Sequence, residues 1–422
     1  MTIHTKRSYL QKHRALPRQL DVPPAADLGL LVVIPCHAEP DLLGTLDSLE
    51  ACQPPACGVE VLVVLNAGTQ HPPAVHTQNA RTAADVIDWQ AQPRRYRYHL
   101  IRAEALRPKH AGVGLARKIG FDEAIDRLEQ AGQPDGLLSG LDADCRVAPT
   151  YLRAIVEWFG RHPRHDAASL FFEHPLTGSS YPPAVYAGIA RYELYLRYYV
   201  QGLRWAGYPL AHHCVGSSMA VRASAYQAQN GMNRRKAGED YYFLHKFMLL
   251  GTLGDLTETT VYPAPRPSEK VPFGTGRAIR QWLASEQAVY RAFDLRSFAA
   301  LGGLVTGLPA LYADQTPPLD PVLVDFLAQQ GLAARLPAMR QHSAGEAGFA
   351  KRFWAWFDGL KALQFMHHAR DAAYPDLPVE QVAAALYQTV RGETVPVEVE
   401  LLLRRYRAWE RGGWWKGLRV EG

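Results

Sequence analysis

The chain has 422 residues, 47% hydrophobic and 21% charged, a composition that supports two globular domains with sizeable cores. A formal net charge of +5 suits an anionic small-molecule substrate but lacks the concentrated basic stripe of a nucleic-acid binder, so no nucleic-acid partner is expected. Five cysteines (Cys36, Cys52, Cys57, Cys145 and Cys214) form no CxxC pair, which argues against a disulfide framework or a zinc site and for a reducing, cytoplasmic setting.

Residues 1–27 are basic and carry no apolar run, so they are expected to be a flexible arm rather than a secretory signal. Such an arm could touch the inner face of an anionic membrane, but a solvated arm is the simpler expectation. No stretch reaches the roughly 18 uninterrupted apolar residues of a transmembrane helix. The nearest, 298–313, contains three glycines and Pro309 and is expected to be a helix and loop.

Residues 28–34 and 59–65 are nearly continuous apolar runs, the pattern of strands buried on both faces of a parallel sheet. Between them, 39–51 has helical spacing at Leu42, Leu43, Leu46 and Leu49. Residues 70–95 are expected to form a loop and helix, 98–101 a short strand and 114–131 a helix. A strand at 136–141 runs into Asp142-Ala143-Asp144, and 149–160 return to a helix. Strand and helix in alternation predict an α/β domain with a mostly parallel sheet. Ligands of such sheets bind beyond the carboxyl ends of the strands, which gathers 35–39, 66–68 and 142–144 around one crevice.

Residues 181–208 hold eight tyrosines and tryptophans on an expected helix. Core packing explains most such residues, with an acceptor-binding surface as the alternative. Residues 212–262 are expected to hold a short strand, helices and a strand at 259–262. Prolines 263, 265, 267 and 272 then break the chain. The expected division is therefore an arm at 1–27, an α/β domain at 28–275 and an α-helical domain at 276–422. The apolar face of 353–367 could pack on the α/β domain or form a homodimer, and Trp354, Trp356, Trp409, Trp414 and Trp415 are expected in the core.

Asp142 and Asp144 alternate, so an extended segment turns both carboxylates the same way. Hard divalent cations take such oxygens and share them with phosphates. A lone DxD is more often a solvated turn, and its place after a buried strand is what favours metal. Glu239-Asp240 opens an apolar helical run, where acids favour the helix dipole and can equally serve as a general base. Lys109, His110 and Arg117, near Gly112 and Gly114, could meet a phosphate or a sugar or be a solvated helix face.

Six pieces, taken in order, carry a family resemblance. They are IPCHAEPDLLGTLDSL (34–49), VEVLVVLNAG (59–68), GVGLARKIGFDEA (112–124), GLLSGLDADCRV (136–147), VGSSMAVRASAY (215–226) and AGEDYYFLHKFMLLG (237–251). With them the chain resembles glycosyltransferase family 2, whose members have the GT-A fold. The resemblance implies a nucleotide diphosphate sugar donor, with UDP the family's commonest nucleotide, and Mn²⁺ or Mg²⁺ as cofactor.

It further implies that Pro35, His37 and Glu39 border the base, with Asn66 standing where the family often has an acid. Asp142 would contact ribose or the metal, and Asp144 would ligate the metal. Gly216 and Ser217 would underlie the sugar, Asp240 would be the base of an inverting transfer, and Glu239 would help hold sugar or acceptor. The histidine that often completes the metal site is missing between 252 and 290. Arg266, Lys270 and Arg277 stand there instead, on a Pro- and Gly-rich loop that would close over the diphosphate or simply link two domains. The alternatives are a retaining GT-A enzyme, a nucleotidylyltransferase, whose glycine-rich loop PCHAEP lacks, and a degenerate binding scaffold. Glycan, lipid and small-molecule acceptors all remain open.

Overall fold

The computed structural model describes residues 4–268, 274–285 and 289–412. The chain divides into two compact units. One holds residues 1–175, 214–265 and 269–274, and the other holds 176–213, 266–268 and 275–422.

In chain order the first unit contributes α1 (His4–His13), β1 (Leu28–Cys36), α2 (Leu42–Glu50), β2 (Gly58–Gly68), α3 (Pro73–Gln90), β3 (Arg97–Leu106), α4 (Val113–Gln130), β4 (Leu137–Gly140), β5 (Arg146–Val147), α5 (Tyr151–Arg161) and β6 (Ala167–Phe172). The chain then leaves it for α6 (Pro183–Trp205). It returns as β7 (Met219–Arg222), α7 (Ala223–Ala228), α8 (Glu239–Leu250) and β8 (Leu253–Tyr262).

The eight strands form one sheet in the order β3-β2-β1-β4-β7-β6-β8-β5. β1 pairs in parallel with β2 and β4, β2 with β3, and β6 with β8. Only β7 and β5 run the other way. The expected mostly parallel α/β fold is therefore present. β1 and β2 are buried almost end to end because both are interior strands flanked by parallel neighbours. α4 lies close on β1, and Gly120 makes room for it: a Cβ there would come within 2.3 Å of Val33.

Residues 1–27 were expected to be a flexible arm, and here the structure differs. Tyr9 is buried and donates to Asp122 Oδ1 at 2.7 Å, while Arg14 pairs with Glu123 and Asp126. The backbone N–H groups of Ala15, Gln19 and Leu20 also end on Asp122 and Glu123. α4 thus offers a row of acids that satisfies a segment with no helix or sheet partners of its own.

The second unit comprises α6, α9 (Thr275–Leu283), β9 (Arg291–Ala292), α10 (Leu295–Tyr312), α11 (Pro321–Gln329), α12 (Leu332–Gln341), α13 (Glu346–Trp356), α14 (Gly359–Ala372), β10 (Leu377–Pro378), α15 (Val379–Arg391) and α16 (Val399–Arg411). β9 and β10 form a short antiparallel ladder. Asp294, Asp320 and Asp358 cap α10, α11 and α14 by accepting backbone N–H bonds. The expected helix and loop at 298–313 is one helix, α10, with Pro309 inside it. Trp354 and Trp409 are buried, while Trp414, Trp415 and Lys270 lie outside the described residues.

α6 is the central helix of this unit, packing on α9, α10, α15 and α16. It falls within 28–275, the span expected for the α/β domain, but groups with the C-terminal helices through its buried polar face. Arg197 donates to Glu193 Oε1 at 2.9 Å and also pairs with Glu410. Arg407 grips Glu193 with two 2.8 Å bonds, and His213 Nε2 lies 3.1 Å from Glu410 Oε1. Such charges are tolerated in a core only when paired this fully. No helix among the described residues is long and apolar enough to cross a membrane.

Candidate active site

The parallel strands β1, β2 and β4 carry their carboxyl ends to one edge of the sheet. That edge receives 35–39, 66–68 and 142–144, as the strand-end rule requires. β7 runs antiparallel to β4 with Met219 opposite Gly140, so Gly216-Ser217, just before β7, reaches the same edge. α8 ends three residues before β8 begins and so runs back along the sheet, leaving its first residues, Glu239 and Asp240, at that edge too.

The link between these segments is Arg117, in the second turn of α4. Its guanidinium is buried and pairs with Asp142 through one nitrogen and with Glu239 through another. Gly216 is required beside it, since a Cβ there would come within 2.4 Å of the guanidinium. Asp240 accepts from the backbone N–H of Gly216 and from that of Tyr241, the latter at 2.8 Å. Asn233 donates to the Glu239 carbonyl at 3.0 Å and fixes the start of α8. The arginine read from sequence as a phosphate or sugar contact is thus bonded to carboxylates here.

Charge at this cluster is unbalanced. Burial pushes the Glu239 carboxyl up to about 7 against the pull of Arg117, and the neighbouring charges of Asp240 and Asp142 push the same way. Burial likewise raises Asp240, opposed by Arg117 and by its two backbone donors. Arg117 itself is held more firmly protonated because the attraction of Asp142 and Glu239 outweighs its burial.

Asp142 and Asp144 are each half-exposed, whereas Ala143 and Cys145 between and after them are buried. Both carboxylates therefore share the open face. Burial pushes the Cys145 thiol well up, with the two aspartates adding to the effect, so it stays neutral and the donor set is hard oxygen alone. Among the described residues no group of three or more His, Cys, Asp or Glu side chains is placed to hold a metal. Two adjacent carboxylates with the remaining positions open do fit Mg²⁺ or Mn²⁺, which commonly bind through one or two carboxylates, water and substrate phosphate.

On the other side of the crevice, Pro35 is buried in β1 opposite Val64. His37 Nδ1 lies 2.9 Å from the Asn66 carbonyl oxygen, and its ring meets His71 edge-on at 4.7 Å. Glu39 is buried, and its carbonyl accepts from Thr82 at 2.9 Å. Ala38 between them has φ of +46°, a costly conformation for alanine, and its N–H donates to Asn79 Oδ1 at 2.9 Å. Asn79 also donates to the Asn66 carbonyl. It was missed by sequence reasoning, where a mid-helix asparagine in a polar segment gives no signal. The side-chain Oδ1 of Asn66 is buried with no protein partner.

Lys109 is exposed at the loop before α4. Arg266 and Arg277 are grouped with the second unit, Arg266 following β8 and Arg277 exposed on α9.

Comparison with known proteins adds the following. Residues 140–312, less than half of the chain, match the family model described as Glycosyl transferase family group 2. None of the curated proteins searched matches. Among solved structures, S. aureus TarS 1–349, also determined in complex with UDP-GlcNAc, is 13% identical with a TM-score of 0.38, covering 92% of each chain. The mannosyltransferase PcManGT from Pyrobaculum calidifontis, in complex with GDP-Man and Mn²⁺, is 18% identical with a TM-score of 0.34, covering 96% of this chain and 95% of that one. TM-scores this low decide neither fold nor function. Both carboxylate pairs and the Gly216-Ser217 turn lie inside the segment that is similar to this glycosyltransferase family.

Proposed function

We propose that the protein transfers a sugar from a nucleotide diphosphate donor, a UDP-sugar in the first instance, to an acceptor hydroxyl with inversion at the anomeric carbon. The observation that carries this reading is Arg117, which ties the Glu239-Asp240 end of α8 to Asp142 at the end of β4. The base and the diphosphate-facing carboxylates are thereby parts of one cluster.

Asp240 is the proposed base. Its raised affinity for protons matches the proton it must take from the acceptor hydroxyl. The hydroxyl oxygen forms a bond to the anomeric carbon as the bond to the diphosphate oxygen breaks. The electron pair leaves with the nucleoside diphosphate and the proton ends on Asp240. Glu239, bonded to Arg117, holds the start of α8 so that Asp240 faces the acceptor.

Asp144 and Asp142 would hold Mn²⁺ or Mg²⁺, which when bound neutralises charge on the leaving diphosphate. Pro35, His37, Glu39 and Asn66 would frame the base, and Gly216 and Ser217 the sugar. Product anomeric configuration, read by proton NMR on the released glycoside, tests the mechanism. Inversion is expected, and retention would remove Asp240 from the role of base.

A further inference from the structure

A second cluster of sugar-like chemistry lies in the helical unit. Tyr192 and Tyr195 share one face of α6, while Glu193, Leu194, Arg197 and Tyr198 on the other faces are buried. The β9–β10 ladder brings two further residues beside them. Val379 N donates to the Tyr290 carbonyl at 2.8 Å, and Arg291 donates to the Asp376 carbonyl at 3.0 Å. Tyr290 thus lies against both α6 tyrosines, 5.7 Å from Tyr195 and 6.4 Å from Tyr192 between ring centroids, with the rings tilted rather than stacked.

All three rings are half-buried. The Tyr195 phenol lies within electrostatic reach of Asp376 and Arg370. Asp376 Oδ1 is buried with no protein partner. The nearby Arg370 does not serve it, because its guanidinium is bonded to Asp371 at 2.7 and 3.1 Å. Burial accordingly raises the Asp376 carboxyl despite Arg370, His367 and Arg291 around it, with Asp371 adding to the rise.

Asp376 is half-buried, and an unsatisfied carboxylate oxygen shielded from solvent costs free energy until a donor reaches it. The missing donor is a hydroxyl or water. Anions are disfavoured by the carboxylate, and an acyl chain would leave it unsatisfied. Tilted phenol rings ending in hydroxyls suit the mixed faces of a sugar ring, apolar C–H on one side and hydroxyls at the rim. We propose that Tyr192, Tyr195, Tyr290 and Asp376 form a carbohydrate-binding site that takes one ring of a neutral glycan chain.

The proposal does not depend on the transfer mechanism, so it is tested without donor. Maltotetraose, cellotetraose and chitotetraose are titrated into the full-length protein by calorimetry, with no nucleotide or metal. At least one is expected to bind the wild type at millimolar concentration. Tyr290→Ala and Asp376→Ala should each weaken it about tenfold or more, with melting temperatures reported alongside. If either alanine variant folds poorly, Tyr195→Phe with Tyr290→Phe keeps the rings and should still weaken binding several-fold. Three results overturn the site: no tetraose binding to wild type at about 10 mM, variants binding like wild type, or binding lost in Asp240→Asn but kept in Tyr290→Ala.

Discussion

Two regions of this molecule bury arginine against glutamate and reach opposite electrostatic ends. In the helical unit, Glu193 and Glu410 face Arg197 and Arg407, with His213 alongside. There Arg197 and His213 outweigh the cost of burial, and Glu410 is held at about 2. At the edge of the sheet, Asp142, Glu239 and Asp240 share one guanidinium, that of Arg117, and Glu239 rises to about 7. A balanced network holds a fold together. An unbalanced one carries surplus negative charge that the protein alone does not neutralise, and a site built for a cation and a proton has this character.

The largest effect that would sharpen this contrast is on turnover. Asp240→Asn should lower kcat by roughly 10²–10⁴-fold with little change in melting temperature, whereas a loss of under tenfold would remove it from the chemistry. On the other side, Arg197→Met should cost about 3–5 kcal/mol in denaturant unfolding, because it leaves Glu193 and Glu410 short of charge in the core.

The two regions should also titrate in opposite senses. Glu239 is raised from 4.5 to about 7, so the folded state binds the extra proton and stability falls as pH rises between those values. Glu410 is lowered from 4.5 to about 2, so its contribution is present above 4.5 and is lost as pH falls towards 2. Each effect is bounded at about 3 kcal/mol. Urea unfolding against pH checks them: Glu239→Gln should flatten the first slope and leave the second, and Glu410→Gln the reverse. Arg117→Met should show a smaller loss, about 1–3 kcal/mol at pH 6, because Glu239 can take up a proton in its place. A loss as large as that of Arg197→Met would erase the distinction.

Much of the sheet was legible in the sequence because interior parallel strands need apolar side chains on both faces. Residues 28–34 and 59–65 read as such runs and became β1 and β2. β6 (Ala167–Phe172) is a six-residue, mostly apolar run, too short for periodicity alone to separate a buried strand from a turn of buried helix, so it is not recognised. β8 spans 253–262, but only its end, 259–262, was recognised, since Asp255 and Glu258 break the apolar pattern. α6 has the same local pattern in either domain, and its grouping depends on Glu410 and Arg407 over two hundred residues away. The acids and Arg117 were visible as residue types. That one guanidinium joins Asp142 to Glu239 was not, because residues 117, 142 and 239 meet only through the topology. Asn79 left no trace for the same reason.

The surplus carboxylates at the sheet edge are proposed to hold a divalent cation together with a nucleotide diphosphate. A thermal-shift series with UDP, GDP, dTDP and CDP, with and without Mn²⁺, on wild type and Asp144→Ala tests it most directly. One nucleotide should raise the wild-type midpoint only with Mn²⁺, by about 2.7 kcal/mol of stabilisation at a hundredfold excess over Kd, with no shift in Asp144→Ala. A shift of equal size in the variant, or no shift with any nucleotide, would contradict it.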